Sequence, residues 1–262
     1  MSLLDALTAG HHIADLSQPL ENGMPSSPTH PAFRFALAQR HGDVVREDGL
    51  TGSHELIVMG GHVGTHMDAV SHVAADGVLH GGVPVADALE RGRYRVGGIE
   101  AVPPILCRGV LFDIPRLRGV PRLGPGEAVT AEDLARTGLE PRAGDVALVR
   151  TGWAQLWDRP ADYLGGPGGV PGLDAGGARW LAERGVRAVG GDTIALERIS
   201  PEAGLGRLPV HRILLQEAGV NIIEVMNLEE PAAAGVDEFL FVCAPLRVVG
   251  ATGAPVRPLA VW

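Results

Sequence analysis

Residues 60–72, Gly60-Gly61-His62-Val63-Gly64-Thr65-His66-Met67-Asp68-Ala69-Val70-Ser71-His72, place three imidazoles and a carboxylate in one glycine-rich run. Five of the ten histidines (His54, His62, His66, His72, His80) fall in or near it. Neutral imidazole with carboxylate is the donor set that zinc, manganese and iron prefer. The run also restricts the backbone. A straight strand would put His62 and Asp68 roughly 20 Å apart at about 3.3 Å per residue. Side chains sharing one ion at bonds of about 2 Å must instead converge. The chain has to curl, and Gly60, Gly61 and Gly64 supply the positive-φ freedom and close approach for it.

A helix would also bring His62 and His66 together, as i and i+4 neighbours. Three glycines in five residues argue against it. The expected arrangement is a strand from Glu55 to Met59 running into a metal loop, with His66 and Asp68 on one face of a short extended piece. A single glycine-flanked histidine is ordinarily a hydrogen-bonded loop residue. Three histidines and an aspartate spaced H-x3-H-x-D-x3-H, with no lysine nearby to pair the carboxylate, favour a metal site.

The spacing His62-x-Gly64-Thr65-His66-x-Asp68-x3-His72 resembles the H-x-G-T-H-x-D-x-P-x-H signature of the cyclase family of metal-dependent hydrolases, which includes bacterial kynurenine formamidase and isatin hydrolase. Val70 stands where that signature has proline. Asp15-Leu16-Ser17-Gln18-Pro19-Leu20 is similar to the family's N-terminal segment. Arg150-Thr151-Gly152-Trp153 and Gly191-Asp192-Thr193 are similar to its central strand ends, and His211-Arg212 followed by Glu224 to its late ligands. The resemblance spans nearly the whole chain. It implies a single domain over residues 1–262: an α/β fold of the swivelling β/β/α-like type, a mixed β-sheet core with flanking helices. It also implies metal ligation by His62, His66, Asp68, His211 and Glu224, an acid/base role for His72, and a homodimer or homotetramer.

Composition narrows the alternatives. At 262 residues and 45% hydrophobic content the chain can bury a sizeable core. It contains no lysine, which excludes a Schiff-base lysine, a P-loop lysine and a lysine general base. The net charge of -9 offers no electrostatic footprint for nucleic acid or an anionic membrane. Cys107 and Cys243 sit in apolar runs and read as buried reduced thiols. No stretch approaches the ~18 apolar residues of a membrane span, and Met1 to Asp5 lacks a signal-peptide pattern. A cytoplasmic location is expected.

Strands are expected at Ile13 to Leu16, Phe33 to Ala38, Glu55 to Met59, Gly109 to Asp113, Val146 to Arg150, Val186 to Val189, Ile222 to Val225 and Phe239 to Cys243. Helices are expected from Thr130 to Arg136 with a capping box, from Asp174 to Arg184, and from Val210 to Glu217, closed by Gly138, Gly185 and Gly219. The Gly165 to Gly172 run reads as a surface loop, with a lid as the alternative. Glu224 lies inside the apolar run Val220 to Met226, where a carboxylate is costly unless paired with a cation such as Arg212 or bound to metal. Asp192 fits either a carboxylate supporting a ligand or a strand-end cap. Glu197 and Arg198 read as a solvated pair.

A divalent ion, Mn2+ or Zn2+, would acidify bound water and polarise a carbonyl; Asp68, with two oxygens, could bridge a second ion. His72 would then move the proton from attacking water to leaving nitrogen. Ser26 and Ser27 fall where kynurenine formamidases carry a tryptophan. The segments around Asn227 to Glu230 and Gly250 to Pro258 look closer to the isatin-hydrolase branch. Hydrolytic opening of a small cyclic amide is therefore expected. An arylformamidase, a metal-dependent cyclase or lyase, and a non-catalytic metal-binding protein are the alternatives.

Overall fold

The computed structural model describes residues 10–262, so Met1 to Asp5, read above for a signal peptide, lie outside the described residues. In chain order the main strands are β1 (Ile13–Asp15), β2 (Arg34–Gln39), β3 (His54–Val58), β4 (His66–Asp68), β5 (Ile105–Asp113), β6 (Val146–Arg150), β7 (Ala188–Gly191), β8 (Asn221–Glu224), β9 (Glu238–Cys243), β10 (Gly253–Pro255) and β11 (Leu259–Val261). Nine of them form one mixed sheet in the order β1-β11-β9-β5-β6-β7-β8-β4-β10. The four central strands, β5 to β8, are parallel to one another, and every other neighbouring pair is antiparallel.

The parallel centre follows from the sequence. β6 reads Val-Ala-Leu-Val-Arg and is buried throughout, as a strand covered on both faces must be. Helical crossovers join its neighbours. Ala131–Arg136 is started by Thr130, whose side chain accepts from the Asp133 N–H while Asp133 answers at the Thr130 N–H. Ala175–Glu183 starts at Asp174, which caps the Gly177 N–H. The third begins as one helical turn at Pro209–His211 and widens into a π-helix over Arg212–Ala218, where the periodicity predicts plain α-helix. Residues alternate across the sheet. Val110, Phe112, Val149 and Ile222 pack with Leu134, Leu181 and Leu214 of the helices, whereas Leu111, Leu148 and Ile223 pack with Leu16, Phe241 and Ala260.

Three short strands complete the sheet: β4 is the short extended piece expected for His66 and Asp68, whereas β10 and β11 are absent from the sequence-based assignment. Each has three residues, too few for any periodicity to register. β2 and β3 form a separate hairpin whose apolar residues stand in solvent, Leu56 at 60% and Val58 at 54% exposure. At the carboxyl ends of β5 and β6, Arg150 binds Asp113 at 2.7 Å and both oxygens of Glu229 at 2.8 Å. Asp192, beyond β7, accepts from Thr151 N at 2.9 Å and Gly152 N at 2.8 Å. Asp192 is thus a strand-end cap, and these bonds fix the strand ends beside the site.

Candidate metal centre

β4 runs antiparallel to β8 with Glu224 opposite His66 and Ile222 opposite Asp68. Strand alternation sends His66, Asp68 and Glu224 to the helix-covered face, and Met67 and Ile223 to the opposite core. The cluster lies at the carboxyl end of a parallel strand, where open α/β sheets characteristically bind ligands. His66 Nε2 is 3.4 Å from both Asp68 Oδ1 and Glu224 Oε2. His211 enters from the turn after Leu208; its Nε2 is 3.2 Å from Glu224 Oε1 and 3.8 Å from Asp68 Oδ2. The expected curl is present, with a division of labour among the glycines. Gly64 alone has positive φ, at 66°. Gly61 acts through space, since a Cβ there would meet the Gly253 carbonyl oxygen at 2.7 Å.

Each imidazole is oriented by its second nitrogen. His66 Nδ1 bonds the Gly64 carbonyl oxygen at 2.8 Å, turning Nε2 into the cluster. His211 Nδ1 is held at 2.6 Å by Glu197 Oε1, and Glu197 also accepts from the N–H groups of Val210 and His211. His62 contacts Asp68 Oδ1 at 2.6 Å through Nδ1 and Thr252 Oγ1 at 2.9 Å through Nε2. His72 stacks on His62 with ring centres 3.9 Å apart. Thr65 locks loop to strand: its hydroxyl donates to the Val225 carbonyl oxygen at 2.6 Å and accepts from Gln18 N at 2.8 Å.

The donor set fits a cation. His66 Nε2, Asp68 Oδ2 and Glu224 Oε1 are buried without a hydrogen-bond partner. Leaving three such atoms unmatched is costly, and a positive ion among them satisfies all three. Among the described residues two groups of three could hold an ion, His66–Asp68–Glu224 and His62–Asp68–His72, and Asp68 belongs to both. Charge balance tells the same story. Burial alone would lower the His66 imidazole, but the adjacent carboxylates of Asp68 and Glu224 outweigh it and raise it to about 10. His211 is likewise lifted against burial, by Glu197 and Glu224. Burial pushes His72 down to about 4, so it is a neutral imidazole at pH 7 instead of a group titrating near neutrality.

His66, His211 and Glu224 of the cluster line the floor of a cavity of about 530 Å³, while Asp68 is fully buried and does not line it. The cavity walls come from Leu164, Val170, Ile194, Ile199, Leu205 and Leu208. The Gly165 to Gly172 run is part of that wall and not a plain surface loop: Val170 is buried and exchanges backbone hydrogen bonds with Ile199, at 3.0 Å each. His54 and His80 are not brought to the site; His54 is on β3, and His80 bonds the Gln216 carbonyl oxygen.

Glu197 departs from its expected solvated pairing. It is 1% exposed and bound to His211, while Arg198 turns to the Gly126 carbonyl oxygen. The signal was present in the apolar stretch Ile194-Ala195-Leu196 before it, the same context that singled out Glu224. His30 gave no sequence signal, yet it lines the cavity 5.4 Å from the His62 ring. Arg212 is paired with Glu217 and leaves Glu224 to the cluster. Cys107 and Cys243 belong to β5 and β9, and burial raises the Cys243 thiol to about 12, which removes it as a nucleophile.

Fold and site together define a mixed-sheet protein with a buried His/Asp/Glu cluster at a strand end. The family model described as Putative cyclase matches residues 14–198, and the chain belongs to this cyclase family. A kynurenine formamidase from Bacillus cereus is 25% identical over 245 residues, covering 93% of this chain and 94% of that protein. A crystal structure described as a novel cyclase is 29% identical with a TM-score of 0.86, covering 98% of this chain and 89% of that one. Isatin hydrolase A from Ralstonia solanacearum shares the fold at 23% identity and a TM-score of 0.76, covering 100% and 97%.

Elemental analysis of purified variants checks the ligand assignment. His66→Ala or Asp68→Ala should lose bound metal and activity together, and Glu197→Ala should weaken metal affinity by about 10–100-fold through loss of His211 orientation. Full metal occupancy in His66→Ala would overturn it.

Proposed function

We propose that this chain is a metal-dependent hydrolase that opens a small cyclic amide of the isatin type. The observation that carries the reading is the convergence of three unpartnered buried atoms, on His66, Asp68 and Glu224, beside an apolar cavity. His66, Asp68, Glu224 and His211 would hold one divalent ion, Mn2+ or Zn2+; His62 with Asp68 would serve a second. When bound, such an ion supplies Lewis acidity, polarising a substrate carbonyl and making water ionise near neutrality.

The chain's own groups account for proton movement. His72, neutral and lining the cavity, accepts a proton as water attacks the carbonyl carbon, then returns it to the ring nitrogen as the C–N bond breaks. The ring opens to a carboxylic acid and an amine, and no atom is left over. His62, stacked on His72 and bonded to Asp68, fixes the His72 ring in place. The hydrophobic walls exclude bulk water and sharpen the electrostatics of the floor. Family membership and the likeness to an isatin hydrolase and a kynurenine formamidase support the hydrolytic reading.

Side-by-side assay of isatin and N-formylkynurenine on the metal-loaded protein tests the substrate: isatin should turn over and the formyl compound poorly. Much faster turnover of the formyl compound would make the protein a formamidase.

The His72→Ala variant should keep its metal and lose about 10²–10⁴-fold in rate. Its residual activity should lack the acid limb that protonation of His72 gives the parent. Loss of metal together with rate would make His72 a ligand.

We also propose a homodimer or homotetramer. The Ser17 to Pro31 segment reaches the site, since Ser27, Pro28, Thr29 and His30 line the cavity. The exposed apolar β2–β3 hairpin gives a second copy a surface to cover, because an isolated hairpin is marginal in water. Light scattering at micromolar concentration should report a dimer or tetramer; a monomer would contradict the proposal.

A further inference from the structure

We infer that the cavity selects an uncharged substrate and rejects one bearing a carboxylate remote from the reacting carbonyl. The inference rests on the hydrolase reading above and adds the substrate's charge class. Its basis is the distribution of cations. Among the described residues no arginine lines the cavity, and the chain has no lysine. The arginines next in sequence to His211 and Glu197 are committed elsewhere: Arg212 pairs with Glu217, and Arg198 donates to the Gly126 carbonyl oxygen. Arg122 and Arg159 line a different cavity, on the other side of a wall that contains Ala161 and Gly166.

Above the floor, the polar side chains are the hydroxyls of Ser27 and Thr29 and the imidazole of His30, and the rest of the wall is largely aliphatic. A carboxylate there would give up its hydration and find no guanidinium or ammonium in exchange. A neutral carbonyl compound escapes that penalty, and its apolar body fits the aliphatic wall. About 530 Å³ accommodates a one- or two-ring molecule. N-formylkynurenine carries a charged amino-acid head and falls on the rejected side. A neutral lactam, lactone or anilide falls on the accepted side.

The test uses a matched pair that does not depend on turnover. Oxindole and oxindole-5-carboxylate are titrated into the metal-loaded protein by calorimetry. Oxindole should bind, and the carboxylate should bind at least about 30-fold more weakly. Leu205→Arg, at a half-exposed wall position, should narrow the gap between the two compounds by about 10-fold in the carboxylate's favour. Equal affinity for both compounds, or no affinity for either, overturns the inference. Isatin assayed in parallel separates the two readings. Preference for the neutral compound without isatin turnover sinks the cyclic-amide reading alone, and turnover with equal affinities sinks the charge selection alone.

Discussion

Asp68, Glu224 and Glu197 are carboxylates at most 5% exposed, and among the described residues their ion-pair partners are histidines, not arginines. Burying that much negative charge is prohibitive unless positive charge is brought in. The structure meets the demand with imidazoles. The carboxylates around His66 and His211 favour positive charge on both rings, against the effect of burial. A divalent ion held there would supply the same charge with both rings in their neutral, ligating form. Its binding would then release protons and stabilise the fold at once. The placement of arginines elsewhere, with Arg150 on Asp113 and Glu229 and Arg212 on Glu217, keeps competing cations out of the cluster.

Backbone strain sits where the carboxylates are set. Val225 follows Glu224 at φ 59°, and Leu196 precedes Glu197 at φ 55°. Positive φ is a genuine outlier for a β-branched residue and uncommon for leucine, at a cost of about 1–3 kcal/mol each. Both are almost fully buried, and each is pinned. The Val225 N–H bonds the Thr193 carbonyl oxygen, and its own carbonyl accepts from Thr65. The Leu196 carbonyl accepts from Leu173 N. Packing and hydrogen bonds thus hold the two carboxylates at angles that relaxed strand ends would not give.

Much of this was legible in the sequence. The glycine-rich run places His62, His66, Asp68 and His72 around one centre as its spacing requires, and the buried-carboxylate argument for Glu224 locates a second wall of it. The central strands and both capped helices follow from apolar runs and from Thr130 and Asp174. What escaped was either short or non-local. β10 and β11 are three-residue strands stabilised by neighbours distant in sequence. His30 reaches the site through a loop whose path no local pattern encodes, and the π-helical widening after His211 has no periodic mark distinct from an α-helix.

The pairing of β4 with β8 ties chemistry to foldedness. His66, Asp68 and Glu224 alternate with Met67 and Ile223, so polar donors and apolar side chains occupy opposite faces of the same two strands. A slip of one residue would turn the donors into the hydrocarbon core and the methionine and isoleucine toward the cavity. Both layers would fail together. Misregistered chains are therefore excluded twice over, and correct assembly of the sheet's margin can be recognised by its capacity to capture an ion.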